Sequence, residues 1–102
     1  MKAFYSDQEY ITAMSHFLAG DWNEAHRAFE KLDEKYPKEP AIKLIRGNID
    51  YSRGDLEEAV RFYDAAISLS PEYGNAFYKL GVCYYRMGEL EKALGAFQKV
   101  VD

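Results

Sequence analysis

Apolar positions along this chain fall at helical spacing in short runs, each closed by a glycine or a proline. Ala25, Phe29 and Leu32 stand at i, i+4 and i+7, as do Ala59, Tyr63 and Ala66, then Ala93, Phe97 and Val100. That spacing marks one face of an amphipathic helix. The runs that precede these carry a second stripe of the same spacing: Tyr10, Met14 and Phe17, then Leu44, Asn48 and Tyr51, then Tyr78, Val82 and Tyr85. Gly20, Gly54 and Gly88 separate the two kinds of run, while Pro37 and Pro71 end the later kind. Glycine accepts the positive φ that commonly ends a helix, and proline lacks the N–H needed to continue one. Breaks are therefore predicted near residues 20, 37, 54, 71 and 88, which leaves six helices and no strand.

The runs recur at a fixed step. RGDLEEA (53–59) is preceded 34 residues earlier by AGDWNEA (19–25) and followed 34 later by MGELEKA (87–93). Ala13, Gly47 and Gly81 form a column of small residues in this register. Phe17, Tyr51 and Tyr85 form an aromatic column, and Phe29, Tyr63 and Phe97 another. The small pairs Ala13/Ala25, Gly47/Ala59 and Gly81/Ala93 let the two helices of a unit cross closely. The chain divides as 6–39, 40–73 and 74–102, the last unit five residues short of a full period. This pattern resembles the tetratricopeptide repeat family, whose unit is a 34-residue helix–turn–helix. GNAFYKLGVCYYRMGELEKALGAFQKV (74–100) carries most of the motif in Phe77, Leu80, Gly81, Tyr84, Ala93 and Phe97. The resemblance covers residues 6–102 and implies an all-α fold: six antiparallel helices in three helix-turn-helix repeats, stacked as a short right-handed superhelix, a solenoid. It also makes Arg53-Gly54-Asp55, the tripeptide that integrins read, an interhelical turn.

A chain of 102 residues with 48% hydrophobic and 29% charged residues has the composition of one soluble domain. The net charge of −4 argues against duplex nucleic acid or an anionic membrane as partner, because both require a basic face. No run approaches membrane-spanning length, and the single cysteine forms no intrachain disulfide. A cytoplasmic setting is expected.

Catalysis needs acids, bases or nucleophiles that converge. The two histidines, His16 and His26, lie on different predicted helices, and neither has a second His or Cys at ligand spacing. Cys83 lies on a packing helix and reads as an inert thiol. Every glycine turn is followed by an acid, so no phosphate cradle is present. No enzyme activity, metal or cofactor is expected.

The polar residues of the first helices depart from the family pattern. Glu9, Thr12 and His16, and again Lys43, Arg46 and Asp50, stand where such repeats usually carry apolar side chains. Two readings are open: long stems that snorkel to water, or a partly buried network in which Glu9 or His16 meets Lys43, Arg46 or Asp50. The stripe of Tyr10, Met14, Phe17, Leu44, Asn48, Tyr51, Tyr78, Val82 and Tyr85 corresponds in the family to the concave groove that binds peptides or helices. Lys79 joins it as the one residue that keeps the charge of the family's carboxylate clamp. The other clamp columns hold Tyr10, Met14, Ile45 and Asn75, which rules that clamp out.

The resemblance therefore implies a non-catalytic scaffold that binds a peptide or partner helix of another protein in an aromatic-lined groove. The alternatives are a self-assembly module working through its stacking ends and a regulatory fragment of a larger protein. The closing run KALGAFQKVVD is patterned like an internal repeat, with Leu94, Val100 and Val101 expected to lie open beside Cys83 and Tyr84. The chain is thus expected to be part of a longer array or to form a homodimer through its C-terminal repeat.

Overall fold

The computed structural model describes residues 3–101, the side chain of Val101 excepted. A 3-10 turn at Phe4–Ser6 leads into six α-helices: α1 Gln8–Ala19, α2 Trp22–Lys35, α3 Pro40–Ser52, α4 Leu56–Leu69, α5 Gly74–Arg86 and α6 Leu90–Val101. No strand occurs among the described residues. The helices end at Ala19, Lys35, Ser52, Leu69 and Arg86, within two residues of the breaks that the glycines and prolines predict.

The three glycine turns share one construction. Gly20, Gly54 and Gly88 have φ of 78°, 84° and 81°, in the left-handed region. In the middle turn the Gly54 N–H donates to the Tyr51 carbonyl at 3.1 Å and the Asp55 N–H to the Asp50 carbonyl at 2.8 Å. These two bonds satisfy carbonyls that the helix end would otherwise leave bare. The carbonyl of Asp55 then accepts from Ala59 N–H at 3.0 Å to open α4, while its side chain caps nothing. The acid is placed to favour the positive end of the helix dipole without a side-chain cap.

Each hairpin closes over a small residue and a ring, and the hairpins stack in sequence, with α3 against α2 and α5 against α4. Two apolar clusters result. One joins Ala13, Ala25, Phe29, Leu32, Ile42 and Ile49; the other joins Leu44, Tyr63, Ala66, Ala76, Leu80 and Cys83 with Ala59 and Ala96. The array is an elongated slab of 40 × 29 × 18 Å. No helix among the described residues is long and apolar enough to cross a membrane.

Asp7 fastens the first hairpin. It caps α1 by accepting from Glu9 N–H at 2.8 Å, and it also receives Tyr36 Oη and Lys35 Nζ, each at 2.6 Å, from the far end of α2. Phe4 packs edge-on against Tyr10 at 5.2 Å between centroids and against Tyr36 at 6.4 Å.

Candidate functional site

The stripe along α1, α3 and α5 does not present a uniform surface. On α1, Tyr10 is half-buried between Phe4 and Phe29, Met14 packs against the first cluster, and Phe17 stands edge-on to Trp22 at 5.6 Å. On α3, Leu44 is only 7% exposed, buried in the cluster with Ala59, Tyr63 and Ala66 of α4 and Ala76, Leu80 and Cys83 of α5. Leu44, expected in the groove, is therefore a core residue. Asn48 accepts a hydrogen bond from Tyr63 Oη at 2.7 Å, and Tyr51 lies under the Arg86 guanidinium, 5.1 Å from its ring centroid. On α5, Tyr78 and Tyr85 are 51% and 59% exposed, with half-buried Val82 and Lys79 between them. Within this stripe, open aromatic surface is thus concentrated on the third hairpin. Two exposed apolar residues of α1, Ile11 and Leu18, escaped the sequence reading. They lie seven apart at the positions of Lys79 and Arg86, and that shared spacing was the signal for them.

The polar residues of the first helices do form a network, with partners other than those expected. Lys43 Nζ lies 2.8 Å from Asp33 Oδ1, and Arg46 Nη1 donates to Asp33 Oδ2 at 2.7 Å. The Arg46 guanidinium also stacks on Phe62, 4.2 Å from the ring centroid. Asp50, 2% exposed, has His26 Nδ1 and Arg53 Nη1 each at 3.7 Å. Burial raises the Asp50 carboxyl above its ordinary pKa, while His26 and Arg53 pull it back. Glu9 instead pairs with Lys35 at 3.3 Å and His16 with Asp21 at 3.7 Å. The reason is geometric: α3 packs on α2, so its inward polar groups meet the second helix of the preceding hairpin rather than the first.

At the C-terminal end, Leu94 and Val100 are 68% and 42% exposed, and Leu90, which the sequence reading did not single out, is 60% exposed. Tyr84 is half-buried with Lys92 Nζ 5.6 Å from its ring centroid. Cys83, expected at this open end, is fully buried, and burial pushes its thiol up to about 11. It belongs to the cluster between α4 and α5 and contributes no surface. The side chain of Val101 lies outside the described residues. At the opposite end, a hollow of about 380 Å³ is lined mainly by polar residues, among them Gln8, Glu9, Thr12, His16, Glu24 and Arg27. No group of three or more His, Cys, Asp or Glu suited to a metal occurs among the described residues.

A stacked array of helical hairpins with a repeated glycine turn defines a helical-repeat protein, an architecture of extended concave surfaces. A sequence pattern described as tetratricopeptide repeat matches residues 9–39 and 75–102, and one described as TPR repeat matches 47–88. A TPR repeat-containing protein of Methanocaldococcus jannaschii is 42% identical over 87 residues, covering 83% of this chain and 15% of that protein. The transcription activator GutR of Bacillus subtilis is 35% identical over 77 residues, covering 67% of this chain and 9% of that protein. The chain belongs to the tetratricopeptide repeat family. Among solved structures, MamA superimposes with a TM-score of 0.83 at 27% identity, covering 87% of this chain and 52% of that one. The type III secretion translocator chaperone SycD of Yersinia enterocolitica gives 0.88 at 19% identity, covering 91% and 64%. The fold is that of a protein–protein interaction scaffold.

Proposed function

We propose that the chain is a non-catalytic, cytoplasmic module that holds an apolar peptide segment or partner helix of another protein against its concave face. The observation that carries this reading is the exposure of Tyr78 and Tyr85 on α5, seven residues apart, with Tyr51 of α3 in the same register as Tyr85. Large rings held by a rigid scaffold are typical interface anchors, because little side-chain entropy is lost when they are covered. Lys79 and Arg86 flank the rings, and neither has a carboxylate within 4.0 Å among the described residues, which suits a partner that carries an acid next to its apolar residues. The test is capture from lysate by wild type against a Tyr51→Ala/Tyr85→Ala variant. Loss of specific partners from a variant that still melts cooperatively supports the groove; full retention moves the site elsewhere. The second reading, self-association through the C-terminal end, is favoured by one observation, the exposure of Leu90, Leu94 and Val100 on a single face of α6.

A further inference from the structure

The middle hairpin is packed on both sides, by α2 and by α5, so the positions it leaves open are open by the fold and not for want of a neighbour. On α3 these include Ser52, which is exposed, and Ile45, which is half-buried. Their equivalents are Leu18 and Ile11 on α1, and Arg86 and Lys79 on α5. Two rows therefore cross from hairpin to hairpin beside the aromatic stripe: Ile11, Ile45 and Lys79, then Leu18, Ser52 and Arg86. Along both rows the chemistry changes in one direction. Ile11 and Leu18 are apolar and 49% and 77% exposed, whereas Lys79 and Arg86 are cations.

Arg86 shows what the cationic end lacks. Its guanidinium reaches back from α5 to lie over Tyr51 of α3, 5.1 Å from the ring centroid, so it is held against the preceding hairpin. The chain contains a completed version of this arrangement. Arg46 stacks on Phe62 at 4.2 Å and donates from Nη1 to Asp33 at 2.7 Å. Arg86 has the ring but, among the described residues, no carboxylate within 4.0 Å, and neither has Lys79. Stacking occupies a face of the guanidinium and leaves its N–H edge free for a carboxylate. The six positions of the two rows hold two cations and no acid on a chain of net charge −4, so an acidic segment is drawn to this face in preference to the rest of the surface.

We propose that the groove takes a segment of another protein with Asp or Glu side chains at one end and apolar residues at the other. The segment crosses in one direction, its acids over α5 and its apolar side chains over Ile11 and Leu18 of α1. Arg86 reads the acid, and Tyr51 is a positioning residue that holds Arg86 across the groove. This rests on the groove reading and adds to it a charge requirement and a polarity.

The experiment is selection of random peptides of about twelve residues, displayed with their C-termini blocked by fusion, on the intact 102-residue chain. At roughly 3.3 Å per residue such peptides can span the 40 Å length of the molecule. Wild type should select peptides with Asp or Glu toward one end and Leu, Ile or Phe toward the other. Arg86→Glu, at an exposed position, should bind the best of them about tenfold or more weakly at low salt, and should itself select Lys or Arg in place of the acid. Leu18→Ser should lose only the preference for apolar residues at the opposite end. Tyr51→Phe keeps a ring under Arg86 and should keep the acid preference, whereas Tyr51→Leu should relax it. A spin label on the acid end should broaden the amide signals of α5 and leave those of α1 sharp. Peptides that bind through Tyr51 and Tyr85 but show no acid preference, or that Arg86→Glu selects equally, overturn the inference and leave the groove reading standing. So does broadening of α1 by the acid end. Peptides that Tyr51→Ala/Tyr85→Ala binds as well as wild type does, or no selected peptide at all, overturn both.

Discussion

Gly47 sits beneath the ring of Tyr63, so that a Cβ built on it would stand 2.5 Å from Cε1 and 2.7 Å from Cδ1. The ring cannot swing aside, because Tyr63 is fully buried and its hydroxyl donates to Asn48 Oδ1 at 2.7 Å. Gly81 stands under Phe97 with the same 2.5 Å clearance, whereas Gly95, in mid-α6, has nothing within 4 Å. The two classes of helical glycine should answer oppositely to alanine. Gly47→Ala gains helix propensity of about 1 kcal/mol but overpacks the ring contact at about 1–3 kcal/mol, for a net loss of up to about 2 kcal/mol. Gly95→Ala should stabilise by about 0.5–1 kcal/mol. Urea denaturation of the two variants checks this, and stabilisation by both would show that the ring contact is soft.

The two joints between hairpins use different chemistry at matching positions. Asp33, Lys43 and Arg46 join α2 to α3, while one period later Ile67, Phe77 and Leu80 stand in those places between α4 and α5. Asp33→Ile alone would strand two cations that are 20% and 14% exposed, at a cost of about 3 kcal/mol. Adding Lys43→Phe and Arg46→Leu should restore wild-type stability or exceed it, since a buried ionic cluster adds little over apolar packing. Thermal melts of the single and triple variants decide the matter; a triple variant weaker than the single one would show that the ionic joint is the better fit.

The division into helices was legible because glycine and proline mark their ends and the 34-residue register repeats every mark. The surface was less legible, since exposure depends on the next hairpin and not on a residue's own helix. Tyr10, Leu44 and Tyr78 share one column, yet Leu44 is 7% exposed and Tyr78 is 51% exposed, because Leu44 lies in the cluster that α5 completes, whereas no further hairpin packs on Tyr78 among the described residues. Periodicity likewise gave the inward direction of Lys43 and Arg46 but not the helix they would meet. Asp33, an acid in the column that holds Ile67, was the unused clue. Asp7 could be read as a cap, but its contacts with Lys35 and Tyr36 depend on how α2 returns.

Asp7 should make the first hairpin sensitive to acid. Bonds from Lys35, Tyr36 and the Glu9 N–H, in that order of effect, hold its carboxyl well below the ordinary value of 3.8. A depressed carboxyl stabilises fully above its unfolded pKa, and that contribution fades as pH falls toward the folded value. Asp7→Asn keeps a good N-cap but loses the charge. It should lower the melting temperature at neutral pH, and the gap to wild type should narrow below about pH 4. A gap that stays constant from pH 7 to pH 2 would mean that the charge contributes nothing.

Cys83 should behave as a core atom. Its thiol is fully buried and pushed up to about 11, so little thiolate exists near neutrality and reagents have no path to it. A disulfide-exchange reagent at pH 8 should modify Cys83 only as fast as the chain opens, with the rate rising in step with unfolding by urea. Rapid labelling of the native protein would show that the joint between α4 and α5 opens readily.

The Arg53-Gly54-Asp55 turn is exposed, yet its arginine is drawn toward Asp50, 3.7 Å from the carboxylate, so the tripeptide is built into the end of α3. At Gly54 a Cβ would meet nothing within 4 Å, and φ is 84°, so any cost of substitution comes from the backbone and not from a clash. Gly54→Val should therefore lose about 1 kcal/mol or more, and Gly54→Asn distinctly less, because asparagine enters the left-handed region more readily than a β-branched residue. Asp55→Glu should be nearly neutral, since Glu89 fills that place in the next turn and the Asp55 side chain makes no cap bond. Denaturation of the three variants gives the order. Equal losses for valine and asparagine would contradict a backbone origin. Asp55-dependent adhesion of integrin-bearing cells would show that the tripeptide acts as a signal as well as a turn.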